Sequence, residues 1–139
     1  MDRHDRRSAL AFFGLLAASA AGVKHAASQG MDATVGKDTT LATGVVQRVY
    51  GDGPAMIPGF KSVSMRDIIM QPGSTTGNNT MKNAMVCHIT EGELRLVQDD
   101  SKTFTAKKNY VWTCDKGTKE QAFNDGNVVA VMRITDLMA

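Results

Sequence analysis

Turn-forming residues cut this chain into short runs from Thr43 onward, and none of those runs carries a helical apolar period long enough to build a helix. The punctuation comes from Gly51-Asp52-Gly53-Pro54, Gln71-Pro72-Gly73, Asp99-Asp100-Ser101-Lys102, Cys114-Asp115-Lys116-Gly117 and the hairpin signal Asp125-Gly126. Between these turns, residues 43–50, 60–70, 84–89, 93–96, 103–106, 110–113, 120–123 and 128–134 have the β-branched, aromatic and alternating composition of strands. Strands recurring at intervals of about 8–12 residues predict an all-β sandwich or barrel. One core is enough for a chain of this size, and nine methionines suit the irregular gaps between two curved sheets.

The stretch 72–97 sets the frame. Ala84-Met85-Val86-Cys87-His88-Ile89 reads as a buried strand, Thr90-Glu91-Gly92-Glu93 as a tight turn, and Glu93-Leu94-Arg95-Leu96 as a half-buried strand, together a central hairpin. Gly92 is the turn residue free to take a positive φ. Strand parity puts Met85 and Cys87 on one face and His88 on the other.

Residues 1–28 have the pattern of an export signal rather than of a domain. Arg3, Arg6 and Arg7 precede an uncharged apolar run from Ala9 to Val23, shorter than the ~20 residues of a membrane span, and small residues close it. The pair Arg6-Arg7 resembles a twin-arginine signal, which implies a periplasmic protein without a membrane span after processing. Residues 29–42 then read as an extended polar lead-in, and 43–139 as the folded domain. Residues 1–28 hold four basic side chains (Arg3, Arg6, Arg7, Lys24) and two acidic ones (Asp2, Asp5), so twelve of each sign remain beyond them. With no basic block left, nucleic acid is not an expected partner.

Two spaced patterns connect this chain to a known fold. Gly73, Asn79, Met81, Met85 and Gly92 satisfy every spacing of G-x5-H-x-H-x3-E-x6-G. Lys108, Cys114, Gly117, Glu120 and Asn124 follow G-x5-P-x-G-x2-H-x3-N with one extra residue before Gly117. These are the two motifs of the cupins, and the chain resembles that family over Gly73 to Asn124. The resemblance implies a single jelly-roll β-barrel and pairing into a homodimer. In metal-dependent cupins the His, His, Glu and His of these motifs hold the ion; here Asn79, Met81, Met85 and Glu120 stand in their places. One amide, one carboxylate and two thioethers are a poor set for iron, manganese or zinc, and His88 is the only histidine beyond residue 28. No cofactor is expected, and Cu(I), which thioethers tolerate, is the metal least at odds with the residues.

Three functions stay open on the sequence. The barrel mouth, with Asn79, Met81, Met85, Cys87 and Glu120 as ligand-binding residues, would accept a small organic molecule without metal. Glu120 would alternatively be the catalytic acid/base of a cupin-type lyase or isomerase. A barrel packed shut would leave a non-catalytic partner of another exported protein. Cys87 and Cys114 read equally as a disulfide or as two buried thiols. Trp112 and Tyr110 read as packing residues.

Overall fold

The computed structural model describes residues 36–139, all of their regular structure being strand. The expected signal segment, residues 1–28, lies outside the described residues. In chain order the strands are β1 (Lys37–Ala42), β2 (Val45–Pro54), β3 (Ser62–Met70), β4 (Asn79–Thr80) and β5 (Ala84–Glu91). They continue with β6 (Glu93–Gln98), β7 (Lys102–Lys107), β8 (Val111–Cys114), β9 (Lys119–Phe123) and β10 (Ala130–Met138). A six-stranded sheet has the order β1-β2-β3-β10-β5-β8, and a four-stranded sheet the order β4-β9-β6-β7; every pairing is antiparallel. This is the expected all-β jelly roll. Among the described residues no helix is long and apolar enough to cross a membrane.

Three local expectations change in the folded chain. Lys37–Ala42, read as lead-in, pairs with β2 as an edge strand and belongs to the sheet. Gly51-Asp52-Gly53-Pro54, read as a turn, continues β2 beside β3 beyond a bulge at Tyr50, which the partner strand's hydrogen bonds stabilise despite poor local propensity. Asp125-Gly126 makes no hairpin, because β9 pairs with β4 and β6 whereas β10 pairs with β3 and β5. The side chain of Asn124, 1% exposed, spans this crossing: its Nδ2 donates to Met70 O and Val128 O, both at 2.9 Å, while its Oδ1 accepts from Gly126 N at 3.0 Å.

The central turn is also a corner and not a hairpin. β5 lies in the large sheet and β6 in the small one, so the chain changes sheets at Gly92. Its φ is +68°, and a Cβ there would sit 2.7 Å from Val129 O and 2.9 Å from Ala130 Cα. Backbone conformation and lack of space thus demand glycine together. The true tight hairpin is β6–β7, where Asp99 and Asp100 take φ of 49° and 60°, the double-positive pattern that matches strand twist.

Alternation fills the space between the sheets. Met85, Cys87 and Ile89 of β5, Leu94 and Leu96 of β6, Ala106 of β7, Ala122 of β9, Met132 and Ile134 of β10, and Val45, Ile68 and Met70 of β2 and β3 form one buried cluster. Each large member stabilises by about 1.5–3 kcal/mol relative to exposure.

The outer face of the large sheet carries one buried acid, Asp67, with its partners. Arg133 Nε and Nη2 donate to Asp67 Oδ1 and Oδ2 at 2.9 Å each, and Tyr50 Oη donates to Oδ2 at 2.6 Å. The hydrogen bond to Asp67 raises the Tyr50 pKa above its ordinary value near 10, burial and the Asp67 charge adding to it and Arg133 opposing. A raised phenol pKa gives stability that is whole below pH ~10 and is lost as pH climbs through the folded-state titration. Urea midpoints of Tyr50→Phe should therefore fall less than wild type between pH ~9.5 and ~11.5, where the phenol ionises. At the corner, Gly92→Ala should cost about 2 kcal/mol or more, read as a lower denaturant midpoint with unchanged m.

Candidate functional site

Between the sheets the barrel opens into a cavity of about 820 Å³, within the size range of small-molecule sites. Its apolar wall is Ile68, Met85, Met132 and Ile134, with Leu41 of the edge strand and Met81 toward the opening. Two polar groups interrupt that wall. One is Arg66, whose Nε and Nη2 donate to Asp136 at 2.7 and 3.2 Å and whose Nη1 donates to Gln47 Oε1 at 3.0 Å. These three residues come from β2, β3 and β10, adjacent strands whose inward positions fall in register: Gln47 faces Ile68, and Arg66 faces Val49 on one side and Ile134 on the other. The other polar group is Glu120.

Glu120 is 4% exposed and is the second residue of β9, with Asn79 of β4 beside it on one side and Gln98 of β6 on the other. Its Oε2 accepts three hydrogen bonds: Gln98 Nε2 at 2.8 Å, Trp112 Nε1 at 3.2 Å and Cys114 Sγ at 3.2 Å. Gln98 belongs to the small sheet, Trp112 and Cys114 to the large one, so the carboxylate bridges the two layers. Gln98 Nε2 also lies 3.2 Å from Cys114 Sγ, where the sulfur accepts, which leaves the thiol proton for Glu120. No donor meets Oε1 among the described residues. Since none of their buried side-chain oxygens or nitrogens is without a partner, Oε1 faces the cavity and not the packed interior. Trp112 is fixed in turn by edge-on packing with Phe104, ring centroids 5.9 Å apart.

The two cysteines are free and buried. On β5 and β8, Cys87 opposes Trp112 while Cys114 opposes Met85, which sets the thiols diagonally on the same inward face. The Cys114 thiol beside it and burial push the Cys87 pKa far up, so Cys87 stays a neutral thiol. Neither cysteine lines the cavity: Cys87 is buried beside Ile134 on β10, and Cys114 Sγ lies 3.2 Å from Glu120 Oε2.

Of the residues read as ligand-binding, Asn79, Met81, Met85 and Glu120 do line the cavity together. Cys87 does not: it is fully buried beside Ile134, its register partner on β10, and takes no part in the lining. His88 faces away from Cys87, beside Arg133 and Val111. The sequence reading missed Arg66, Asp136 and Gln47, whose convergence depends on strand register; Trp112 packs against the core as read, and its indole N–H in addition serves Glu120. Gln98 gives a local signal in retrospect, an amide at an inward position of a strand that otherwise buries leucines.

The motif positions do not form a site for a hard metal ion. Asn79 is exposed and its amide donates to Gly77 O at 2.9 Å; Met81 and Met85 offer thioethers; one oxygen of Glu120 is fully engaged. No three His, Cys, Asp or Glu side chains converge as ligands among the described residues. This donor set does not fit iron, manganese or zinc.

No family model and no curated protein matches the sequence. Solved structures do match the fold. A Thermotoga maritima protein described as a predicted oxalate decarboxylase aligns with TM-score 0.61 and 17% identity over 77% of this chain and 96% of its own. An RmlC-like cupin from Shewanella frigidimarina gives 0.59 and 12% over 75% and 85%. KdgF from a Halomonas species gives 0.59 and 7% over 74% and 87%. At these identities the likeness concerns the fold.

The thiol geometry is directly measurable. In the native protein both cysteines should react with a water-soluble alkylating agent at least about tenfold more slowly than in denaturant, because they are buried and Cys87 is kept protonated. Rapid native labelling of Cys87 would contradict its complete burial.

Proposed function

We propose that this chain, which has the cupin fold, binds a small organic molecule in the barrel cavity without an iron, manganese or zinc ion. The observation that carries the reading is Glu120: a buried carboxylate with one oxygen saturated by three donors and the other turned toward an open space of about 820 Å³. A polar atom kept so at the wall of a cavity is arranged to meet a partner from outside. The apolar surface of Ile68, Met85, Met132 and Ile134 supplies the burial that would hold the rest of such a molecule. The open interior supports this reading over a barrel packed shut. Export to the periplasm and a homodimer belong to the same proposal as its setting, resting on the N-terminal pattern and the fold resemblance.

An acid/base role for Glu120 would use the same free oxygen. The binding reading is preferred because Oε2 is held by three groups on two strands, which fixes the carboxylate, and no cysteine, serine or histidine stands with it at the cavity wall among the described residues.

Native mass spectrometry and thermal-shift screening of the purified protein against small organic molecules should reveal a ligand class that binds at 1:1 stoichiometry. Ala122, 2% exposed and part of the wall, offers the control. Ala122→Phe should fill the space, cost about 1–3 kcal/mol in stability and weaken binding by about tenfold or more. Elemental analysis of chelator-free protein should find iron, manganese and zinc below stoichiometry. A stoichiometric ion of that group, or binding indifferent to Ala122→Phe, would overturn the proposal.

A further inference from the structure

The charged side chains that line the cavity are not all paired. Arg66 is matched by Asp136 through two hydrogen bonds, and that pair sums to zero. Lys82 lies at the opening and is exposed. Glu120, 4% exposed, has no Lys, Arg or His partner among the described residues; its three donors are an amide, an indole and a thiol, all neutral. Neutral donors stabilise a carboxylate but do not cancel its charge, and a buried charge without a counter-charge is costly. The oxygen left open is the one that faces the cavity.

We infer that the cavity takes a small organic cation, an alkylammonium whose N–H donates to Glu120 Oε1 while its carbon chain lies along Ile68, Met85, Met132 and Ile134. This deepens the binding reading above and rests on it. An ammonium placed there supplies both the counter-charge and the donor that Oε1 lacks, in a site that the Gln98, Trp112 and Cys114 donors have already oriented. The sheet on the far side of the cavity does not compete for the cation, because Asp136 is already engaged by Arg66. An anionic ligand finds no unmatched cation beside Glu120, the unpaired Lys82 among the described residues being exposed, and would meet Glu120 as a like charge. A neutral alcohol could donate to the same oxygen but would leave the charge unbalanced.

Pentylamine, 1-pentanol and pentanoate share one carbon skeleton and separate these cases. Isothermal titration of the full folded protein at pH 7 should show pentylamine binding about tenfold more tightly than 1-pentanol, with pentanoate weaker still. Glu120→Gln should weaken pentylamine about tenfold or more and leave 1-pentanol within about twofold, so that the preference disappears. The wild-type series is decisive by itself should Glu120→Gln fail to fold. Equal or tighter binding of the alcohol or the acid, still sensitive to Ala122→Phe, would overturn the cation while leaving the pocket. Binding that Ala122→Phe does not affect, or no binding of any of the three probes, would overturn the cation; the former would remove the pocket with it. Tight pentylamine binding unchanged in Glu120→Gln would also overturn it.

Discussion

One carboxylate oxygen, Oε2 of Glu120, joins the two layers of this barrel. It draws an amide from β6 and an indole and a thiol from β8, so the end of the small sheet and the edge of the large sheet are held at a fixed distance. Burying an acid is unfavourable, and three hydrogen bonds on one atom are what make the position tolerable. Each donor then inherits its own requirement. Trp112 needs Phe104 against its ring, Gln98 must occupy an inward position among leucines, and Cys114 must point its thiol at the carboxylate. The apolar core supplies most of the folding free energy, while this polar junction decides which atoms remain available to the interior space.

The fold was largely legible in the sequence because its governing signals are short-range. Alternating burial along Ala84–Glu91 and Glu93–Gln98 follows the alternation of residue types, and the positive φ at Gly92 follows from glycine at a turn. What local composition does not encode is where an extended segment goes next. A hairpin and a sheet-crossing corner both need a tight turn, so Gly92 and Asp125-Gly126 looked alike as hairpins although both are crossings. Gly51–Pro54 shows the opposite error: poor strand formers remain strand because a neighbour from elsewhere in the chain supplies the ladder.

Site legibility followed the same division. Asn79, Met81, Met85 and Glu120 were found through fixed spacing within two motifs, and spacing is a property of sequence. Arg66 and Asp136 are separated by 70 residues and meet across adjacent strands, a register that only the folded sheets define. The indole of Trp112 was indistinguishable from an ordinary packing aromatic until its neighbour across the barrel was known. The chain thus keeps the spacing of the two motifs, while the side chains at their ligand positions differ in kind from those the motifs specify. Fold and chemistry are separate layers of information in this chain.

β1 gives the interior an uneven stiffness. It touches the rest of the sheet along one side only, its side chains from Lys37 through Leu41 are exposed, and yet Leu41 forms part of the cavity boundary. The opposite boundary is built from Met132 and Ile134 on a strand flanked by neighbours on both sides. Local opening free energies are lowest where few buried contacts hold the backbone. The barrel therefore has one compliant side and one rigid side, and a bulkier guest would be accommodated by displacement of the edge strand and not by rearrangement of the core. In the proposed binding function, size tolerance and chemical discrimination would reside on different walls, the soft margin admitting the shape and the fixed carboxylate selecting the charge.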